Sequence, residues 1–326
     1  MITRPLGAGG PPVSALALGC MGMSGMYGPS DEAESISTIH AAIDAGINLL
    51  DTGDFYGMGH NEMLIGRAIE GRRNRVLLSV KFGAMRMPNG AFIGLDGRPN
   101  AVKNFLAYSL QRLRTDHIDI YRLSRPDPAV PIEETVGAIA ELIRAGYVRY
   151  VGLSESGAAT IRRAHATHPV CDLQIEYSLA SRSIEREILP TVRSLGIAVT
   201  AYGVLSRGLL SGSQPAGKGD FRAYLPRFSG ANGEHNRQVV AELAGMAAAR
   251  GVTPAQLAIA WVMSKGDDIV PVIGARTRRQ LAESLAALEV KLSAAEIARL
   301  EEICNPQSIH GTRYGADQMQ MLDSER

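Results

Sequence analysis

The chain of 326 residues carries 34 Lys and Arg against 33 Asp and Glu, a formal net charge of +1, so nothing draws it generally to nucleic acid or an anionic membrane, and an anionic ligand must be met by a local site. Its three cysteines, Cys20, Cys171 and Cys304, are far apart and lack CxxC spacing, and they read as reduced thiols of a cytoplasmic protein, neither a disulfide frame nor a zinc site. No run of about 18 apolar residues indicates a membrane span, and the first residues lack the apolar stretch of a secretory signal.

Gly7-Ala8-Gly9-Gly10-Pro11-Pro12 is a turn cluster between two apolar patches, which predicts a short hairpin followed by a strand over 1–19. Ala15-Leu16-Ala17-Leu18-Gly19 is the first buried-strand candidate. Ser30-Asp31-Glu32 then opens a helix with Ile36, Ile39 and Ile43 at apolar positions, and Gly46 closes it. Ile47-Asn48-Leu49-Leu50 is the second strand, followed by a helix through 63–68. Residues 76–80 form the third, then a Gly/Pro-rich loop (83–99) and a helix over roughly 100–114. Residues 118–123 are the fourth, ahead of Pro131-Ile132-Glu133-Glu134, a helix start with proline in its first turn. The fifth to eighth strands fall at 148–153, 173–177, 197–202 and 269–273. Segment 206–235 is too long for a passive connection and reads as a lid or binding loop. Helices are expected over about 236–250, 254–265 and 293–304, and the tail from 305, with little apolar periodicity, reads as a mobile terminus.

Eight short apolar runs alternating with amphipathic segments predict an α/β protein: a parallel (β/α)8 TIM barrel, one domain over 1–326, with an N-terminal hairpin and extra helices. No G-x-G-x-x-G turn follows an early strand, as an open dinucleotide-binding sheet would have. In such barrels the site lies at the carboxyl ends of the strands. There the sequence places Asp51, Lys81, Ser124, Ser154, Gln174, Tyr202 and Gly274, with Tyr56 in the loop after Asp51. A phenol titrating near 10 becomes a usable acid where a cation favours the phenolate, and a lysine held by a carboxylate is such a cation. Asp51, Tyr56 and Lys81 therefore have the chemistry to protonate a carbonyl oxygen; taken alone, they also read as a surface tyrosine beside a salt bridge.

The motifs Gly19-Cys20-Met21-Gly22-Met23, Asp51 through Gly57, Lys81-Phe82-Gly83, Arg125-Pro126-Asp127-Pro128, Gly152-Leu153-Ser154-Glu155, Gln174-Ile175-Glu176-Tyr177-Ser178 and Val270-Pro271-Val272-Ile273-Gly274-Ala275-Arg276-Thr277 follow in order along nearly the whole chain. In this the sequence resembles the aldo-keto reductase superfamily, in particular its bacterial, plant and potassium-channel β-subunit-like branch. The resemblance implies a barrel that binds NADP(H) and reduces aldehydes or ketones to alcohols. Carried over, Tyr56 matches the proton donor, Lys81 its pKa-lowering partner and Asp51 the carboxylate that holds the lysine. Ser124 stands where the family commonly has histidine, and reads equally as a carbonyl polariser or a space-filler.

For the cofactor, the resemblance assigns Ser154 and Gln174 to the nicotinamide carboxamide, with Cys20, Met21 and Asp51 nearby, and Tyr202 to ring stacking. Gly203, Leu205, Arg207 and Gly208 correspond to the pyrophosphate loop, Gly203 replacing a usual serine. Gly274, Arg276, Thr277 and Gln280 face the extra phosphate that favours NADP(H), and Glu283 and Ser284 the adenine, Ser284 replacing a frequent asparagine. Glu155 replaces the asparagine that often follows the serine. Tyr27, Phe55, Met85, Met87 and Phe92 are candidates for an apolar substrate pocket, and the tail with His310, Arg313 and Tyr314 for a cover over the mouth. His165 and His168 lack a carboxylate-histidine cluster, so no metal site is expected. The expected partner is a small carbonyl substrate, with self-association left open. The competing reading is a low-turnover NADP(H)-binding regulatory subunit resembling channel β-subunits.

Overall fold

The computed structural model describes residues 1–217 and 219–326. A hairpin of β1 (Thr3–Pro5) and β2 (Pro12–Ser14) leads into β3 (Ala17–Gly19), the first barrel strand. Then come α1 (Glu32–Asp44), β4 (Leu49–Gly53), α2 (His60–Ala68), β5 (Leu77–Phe82), a small hairpin of β6 (Ala84–Arg86) and β7 (Phe92–Leu95), α3 (Pro99–Leu113), β8 (Ile118–Leu123), α4 (Ile132–Arg144) and β9 (Val148–Ser154). The second half comprises α5 (Ala158–Thr167), β10 (Val170–Glu176), α6 (Ile188–Ser194), β11 (Ala198–Tyr202), α7 (Gly230–Ala249), α8 (Pro254–Met263), β12 (Ile269–Gly274), α9 (Arg278–Leu285), α10 (Ala294–Ile303) and α11 (Ala316–Gln320).

Strands β3, β4, β5, β8, β9, β10, β11 and β12 pair in parallel and close into a barrel, β12 returning to β3. The TIM-barrel expectation is met, and several helix starts have a local cause. Asp31 caps α1 by accepting from the Glu34 N–H, and Thr253 and Ser293 form capping boxes with Gln256 and Glu296 at the starts of α8 and α10. On α4, Ile132, Val136, Ile139 and Leu142 recur at helical spacing and are buried against the strands, while Glu133 and Glu141 pair outward with Arg163 and Lys103.

Inside the barrel the layers are chemically distinct. Leu6 and Val13 of the hairpin pack with Ala17, Leu49, Ala198 and Val270 and close the amino-terminal end. Another layer is polar: Arg122 on β8 pairs with Asp172 on β10 at 2.9 Å and donates to Ser79 and Thr200 at 2.9 and 3.2 Å. This pair explains why β10 begins at Val170 and not, as expected, at Leu173. Asp172 breaks the apolar run, yet its carboxylate is satisfied across the barrel.

Three further expectations change. The 83–99 loop contains the β6–β7 hairpin. Helix α7 starts at Gly230, behind Ser229, six residues before its apolar periodicity becomes visible. The tail is packed: Cys304 and Leu322 are fully buried, and Asn236 on α7 donates to the His310 carbonyl and accepts from its N–H.

Candidate active site

At the carboxyl ends of the strands the register brings Gly53 opposite Lys81, setting Asp51 of β4 beside Lys81 of β5. Lys81 Nζ bonds both Asp51 oxygens, the Oδ2 contact at 2.6 Å, and donates to Gln174 Oε1 at 2.7 Å. Gln174 Nε2 donates back to Asp51 Oδ2 at 2.8 Å. The result is a closed triangle, all three residues at most 6 % exposed. Burial lowers the Lys81 ammonium from its usual range, opposed by Asp51.

The loop carrying Tyr56 is held from below. Thr52 donates to Asn61 Oδ1 at 2.6 Å, and Asn61, fully buried, donates from Nδ2 to the Cys20 carbonyl and to Ser24 Oγ, both at 2.8 Å. Gly57, at φ +56, lies where a Cβ would sit 3.0 Å from that of Ser24, so this turn needs glycine. The fixed turn leaves the Tyr56 ring 8 % exposed, its centroid 5.4 Å from Lys81 Nζ and 4.8 Å from the edge-on ring of Phe55.

The sequence predicts a phenol acidified by Lys81. In the folded chain burial first, then the Asp51 charge, pushes Tyr56 well above its ordinary value. Tyr56 therefore stays protonated at neutral pH. Ser124, 8 % exposed on the same cavity, has a buried Oγ with no hydrogen-bond partner among the described residues.

The cavity around these groups is about 470 Å³. Of the expected cofactor-facing residues, Cys20, Met21, Asp51, Ser154, Gln174, Tyr202, Gly203, Leu205, Arg207, Gly208, Gly274, Arg276 and Gln280 line it, as do Tyr56, Lys81 and Ser124. Thr277, Glu283 and Ser284 do not: Thr277 caps α9 by accepting from the Gln280 N–H, the Glu283 carbonyl accepts from Gln256, and Ser284 is buried in the helix. Tyr27, Phe55 and Phe92 line the cavity, whereas Met85 and Met87 lie outside it.

Arg207 does not hang free for an anion. It pairs with Glu176 at 3.0 Å and lies 4.4 Å from the Tyr314 ring centroid. Among the described residues the Arg276 guanidinium donates only to backbone carbonyls, Tyr27 O at 3.0 Å and Pro29 O at 3.2 Å.

Glu155, at φ +52 and 2 % exposed, is tied to the tail. Its carboxylate accepts from Arg313 at 3.0 and 2.5 Å, from Ser324 Oγ at 2.7 Å and from Tyr202 Oη at 2.7 Å. Burial would raise this carboxyl, but Arg313, then Ser324 and Tyr202, outweigh it and hold Glu155 down to about 2. Tyr202 also meets Arg313 and Tyr314 at 3.1 and 3.2 Å. The tail thus covers the mouth, and Tyr314 and Gln318 line the cavity. The sequence marks the tail with Arg313 and Tyr314 as a cover but not its pairing to Glu155, and it gives no sign of Arg86 and Arg222, which also line the cavity. A lone Arg86 in a loop gives no signal; an arginine in the tail facing an unexpected glutamate at a strand end was the available one.

Among the described residues no group of three or more His, Cys, Asp or Glu side chains could hold a metal ion, and no helix is long and apolar enough to cross a membrane. The three cysteines are free and buried.

The closed parallel barrel thus gathers a phenol, a buried lysine–aspartate pair and a hydroxyl without a partner among the described residues around one cavity at the carboxyl ends of its strands. The model of the aldo/keto reductase family matches residues 15–305, and the chain belongs to that family. It is 39 % identical over 311 residues to the NADP(+) aldo-keto reductase yakc of Schizosaccharomyces pombe, covering 93 % of this chain and 92 % of that protein. It is 39 % identical over 316 residues to a probable aldo-keto reductase of Glycine max, covering 95 % and 90 %. Among solved structures it is similar to a glycerol dehydrogenase of Gluconobacter oxydans, with a TM-score of 0.84, 30 % identity and coverage of 95 % and 98 %. An aldo-keto reductase of Bacillus halodurans in holo form gives 0.76, 27 %, and 94 % and 97 %.

Proposed function

We propose that this chain is an NADP(H)-dependent carbonyl reductase, one catalytic domain over residues 1–326, that converts aldehydes or ketones to alcohols with Tyr56 as proton donor. The observation that carries the reading is the Tyr56 ring beside the buried Asp51–Lys81 pair, on the same cavity as a Ser124 hydroxyl that has no partner among the described residues. The relative in Schizosaccharomyces pombe is named for NADP(+), which supports the same cofactor here.

The residues present fit that cofactor. No intrachain hydrogen bond among the described residues engages the Ser154 hydroxyl, and Arg276 has no carboxylate partner. Arg276 would hold the 2′-phosphate, Ser154 and Gln174 the carboxamide, and the flat face of Tyr202 the nicotinamide ring. When bound, NADPH supplies a hydride to the carbonyl carbon. The chain supplies the rest. Tyr56 donates its phenolic proton to the carbonyl oxygen, and the lysine next to it stabilises the phenolate left behind. Ser124 donates a hydrogen bond to the same oxygen, giving its Oγ the partner it lacks among the described residues. Gln174 and Asp51 fix Lys81 so that the ammonium does not turn away.

The test is NADPH oxidation with a reactive aromatic aldehyde. Tyr56→Phe is expected to slow turnover by roughly 10²–10⁴-fold, the usual worth of a positioned acid. Wild-type turnover no faster than that of Tyr56→Phe across a broad aldehyde panel would remove the reading.

A further inference from the structure

Six cationic side chains line the cavity, and they divide sharply by partner. Lys81 is held by Asp51, Arg207 by Glu176 and Arg222 by Asp220. Arg86, Arg125 and Arg276 have no carboxylate within ion-pair distance among the described residues. The acids on the cavity wall, Asp51 and Glu155, are both committed, to Lys81 and Arg313. The cavity therefore carries cationic charge that the chain does not neutralise.

By barrel order that charge falls on two pairs of neighbouring strands, with the Tyr314 ring between Arg125 and Arg207. Arg276 follows β12 and Arg207 follows β11, neighbouring strands on the side assigned above to the cofactor phosphates. Arg86 lies on β6, directly after β5, and Arg125 directly after β8 and Ser124; β5 and β8 are also neighbours, on the side that carries Lys81. One cofactor accounts for the first cationic end and leaves the second unexplained.

The second end is also built in a way that preserves its charge. Arg86 stands 5.9 Å from the Phe55 ring centroid, and Phe55 in turn packs on Tyr56; Arg125 stands 5.1 Å from the Tyr314 centroid. Aromatic faces hold a guanidinium in place without neutralising it. Arg86 spends one donor on the Gly90 carbonyl at 2.7 Å, and its buried Nε has no partner; no intrachain hydrogen bond among the described residues engages Arg125. Partly buried guanidiniums with unused donors beside the reacting phenol cost desolvation energy that a bound anion would offset.

Building on the reductase reading above, we infer that the substrate is an aldehyde or ketone that carries a carboxylate, held by Arg86 and Arg125 while its carbonyl faces Tyr56 and Ser124. The two arginines are specificity-determining residues: they orient the substrate through its anionic end and take no proton in the reaction.

The experiment compares 2- and 4-carboxybenzaldehyde with 2- and 4-nitrobenzaldehyde, planar substituents of similar size that differ in charge, using NADPH. The ratio of kcat/KM for carboxylate over nitro substrate is expected to fall about 10- to 100-fold in Arg86→Gln and in Arg125→Gln, the worth of a charge-assisted hydrogen bond. Arg→Lys at either position should recover part of that fall. Unchanged melting temperatures show that both variants fold. A second measurement, calorimetric titration of the protein with benzoate and with benzamide, reads the anion site without chemistry; benzoate should bind more tightly, and the preference should fall in both variants. If wild type reduces no aldehyde yet binds benzoate through Arg86 and Arg125, the reductase reading fails and the anion site stands. A carboxylate-to-nitro ratio and a benzoate preference that both survive Arg86→Gln and Arg125→Gln would overturn the inference.

Discussion

Glu155→Gln removes one charge from the latch between strand β9 and the tail and keeps nearly the same shape. Its cost follows from the structure in two ways. A carboxyl that titrates at about 2 in the folded chain, against an ordinary 4.5, contributes about 3 kcal/mol of stability. Because the folded value is the lower one, that contribution is present above pH 4.5 and is lost as the pH falls toward 2. Independently, removing one member of a buried ion pair costs about 3–5 kcal/mol, since the other is left uncompensated. Here Arg313 keeps Glu325 at 2.9 Å and Glu176 at 3.6 Å, which places the loss at the lower end of that range. If the tail unfolds together with the barrel, about 3 kcal/mol lowers the melting temperature of a chain this size by roughly 4 °C at pH 7. If the tail opens alone, amide exchange across 311–326 accelerates by about two orders of magnitude while the melting temperature holds. Differential scanning calorimetry and mass-resolved hydrogen exchange distinguish the two. A variant with the wild-type melting temperature and wild-type exchange in the tail would refute the latch.

Two further substitutions probe the site from other directions. Asp54 is buried two residues before Tyr56, and burial, with the nearby Glu62 charge, outweighs Arg112 and the Gly83 and Phe55 N–H groups and pushes its carboxyl up to about 8. The folded chain then holds a proton between pH 3.8 and 8 that the unfolded chain releases, so this group's contribution declines as pH rises through that window. Asp54→Asn should accordingly raise the melting temperature more at pH 8 than at pH 4, and an equal shift at both would argue against a protonated Asp54. Arg276→Ala should weaken NADPH binding about 10- to 100-fold and NADH binding much less, read by fluorescence titration; equal losses for both nucleotides would place the 2′-phosphate elsewhere.

The fold was legible because most barrel strands are largely apolar and several surface helices announce their starts with a cap. Ser293 and Glu296, or Thr253 and Gln256, announce a helix start within four residues of sequence. What stayed hidden depends on partners far away in the chain. Asp172 looks like the end of a strand until Arg122, fifty residues earlier, is seen to meet it, and the tail looks unanchored until Arg313 is seen against Glu155. The β6–β7 hairpin carries only three and four residues around a Pro-Asn-Gly turn, too few for alternation to show. Asp51, Tyr56 and Lys81 were readable since they lie in the carboxyl-terminal parts of two neighbouring strands and the loop between them, after apolar runs. The raised Tyr56 value was not, because it comes first from how deeply the ring is buried, which the local sequence does not show.

The departures from the family's pattern fit together spatially in a way that a position-by-position comparison misses. Glu155, in place of asparagine, recruits Arg313, and through it Tyr314 and the tail. Gly203, in place of serine, sits at φ +64, where a Cβ would stand 3.0 Å from Glu176 Cγ. Glu176 is fixed by Ser181 at 2.8 Å and meets Arg207, Arg227 and Arg313, so it has little room to yield. Tyr314 is the point where these changes converge on the substrate end, since both Arg207 and Arg125 lie over its ring. Loosening Glu155 therefore reaches Arg125 through Arg313 and Tyr314 without touching the Asp51–Lys81 pair. It follows that a latch defect should disturb discrimination between carboxylate and nitro substrates more than the proton-transfer step itself.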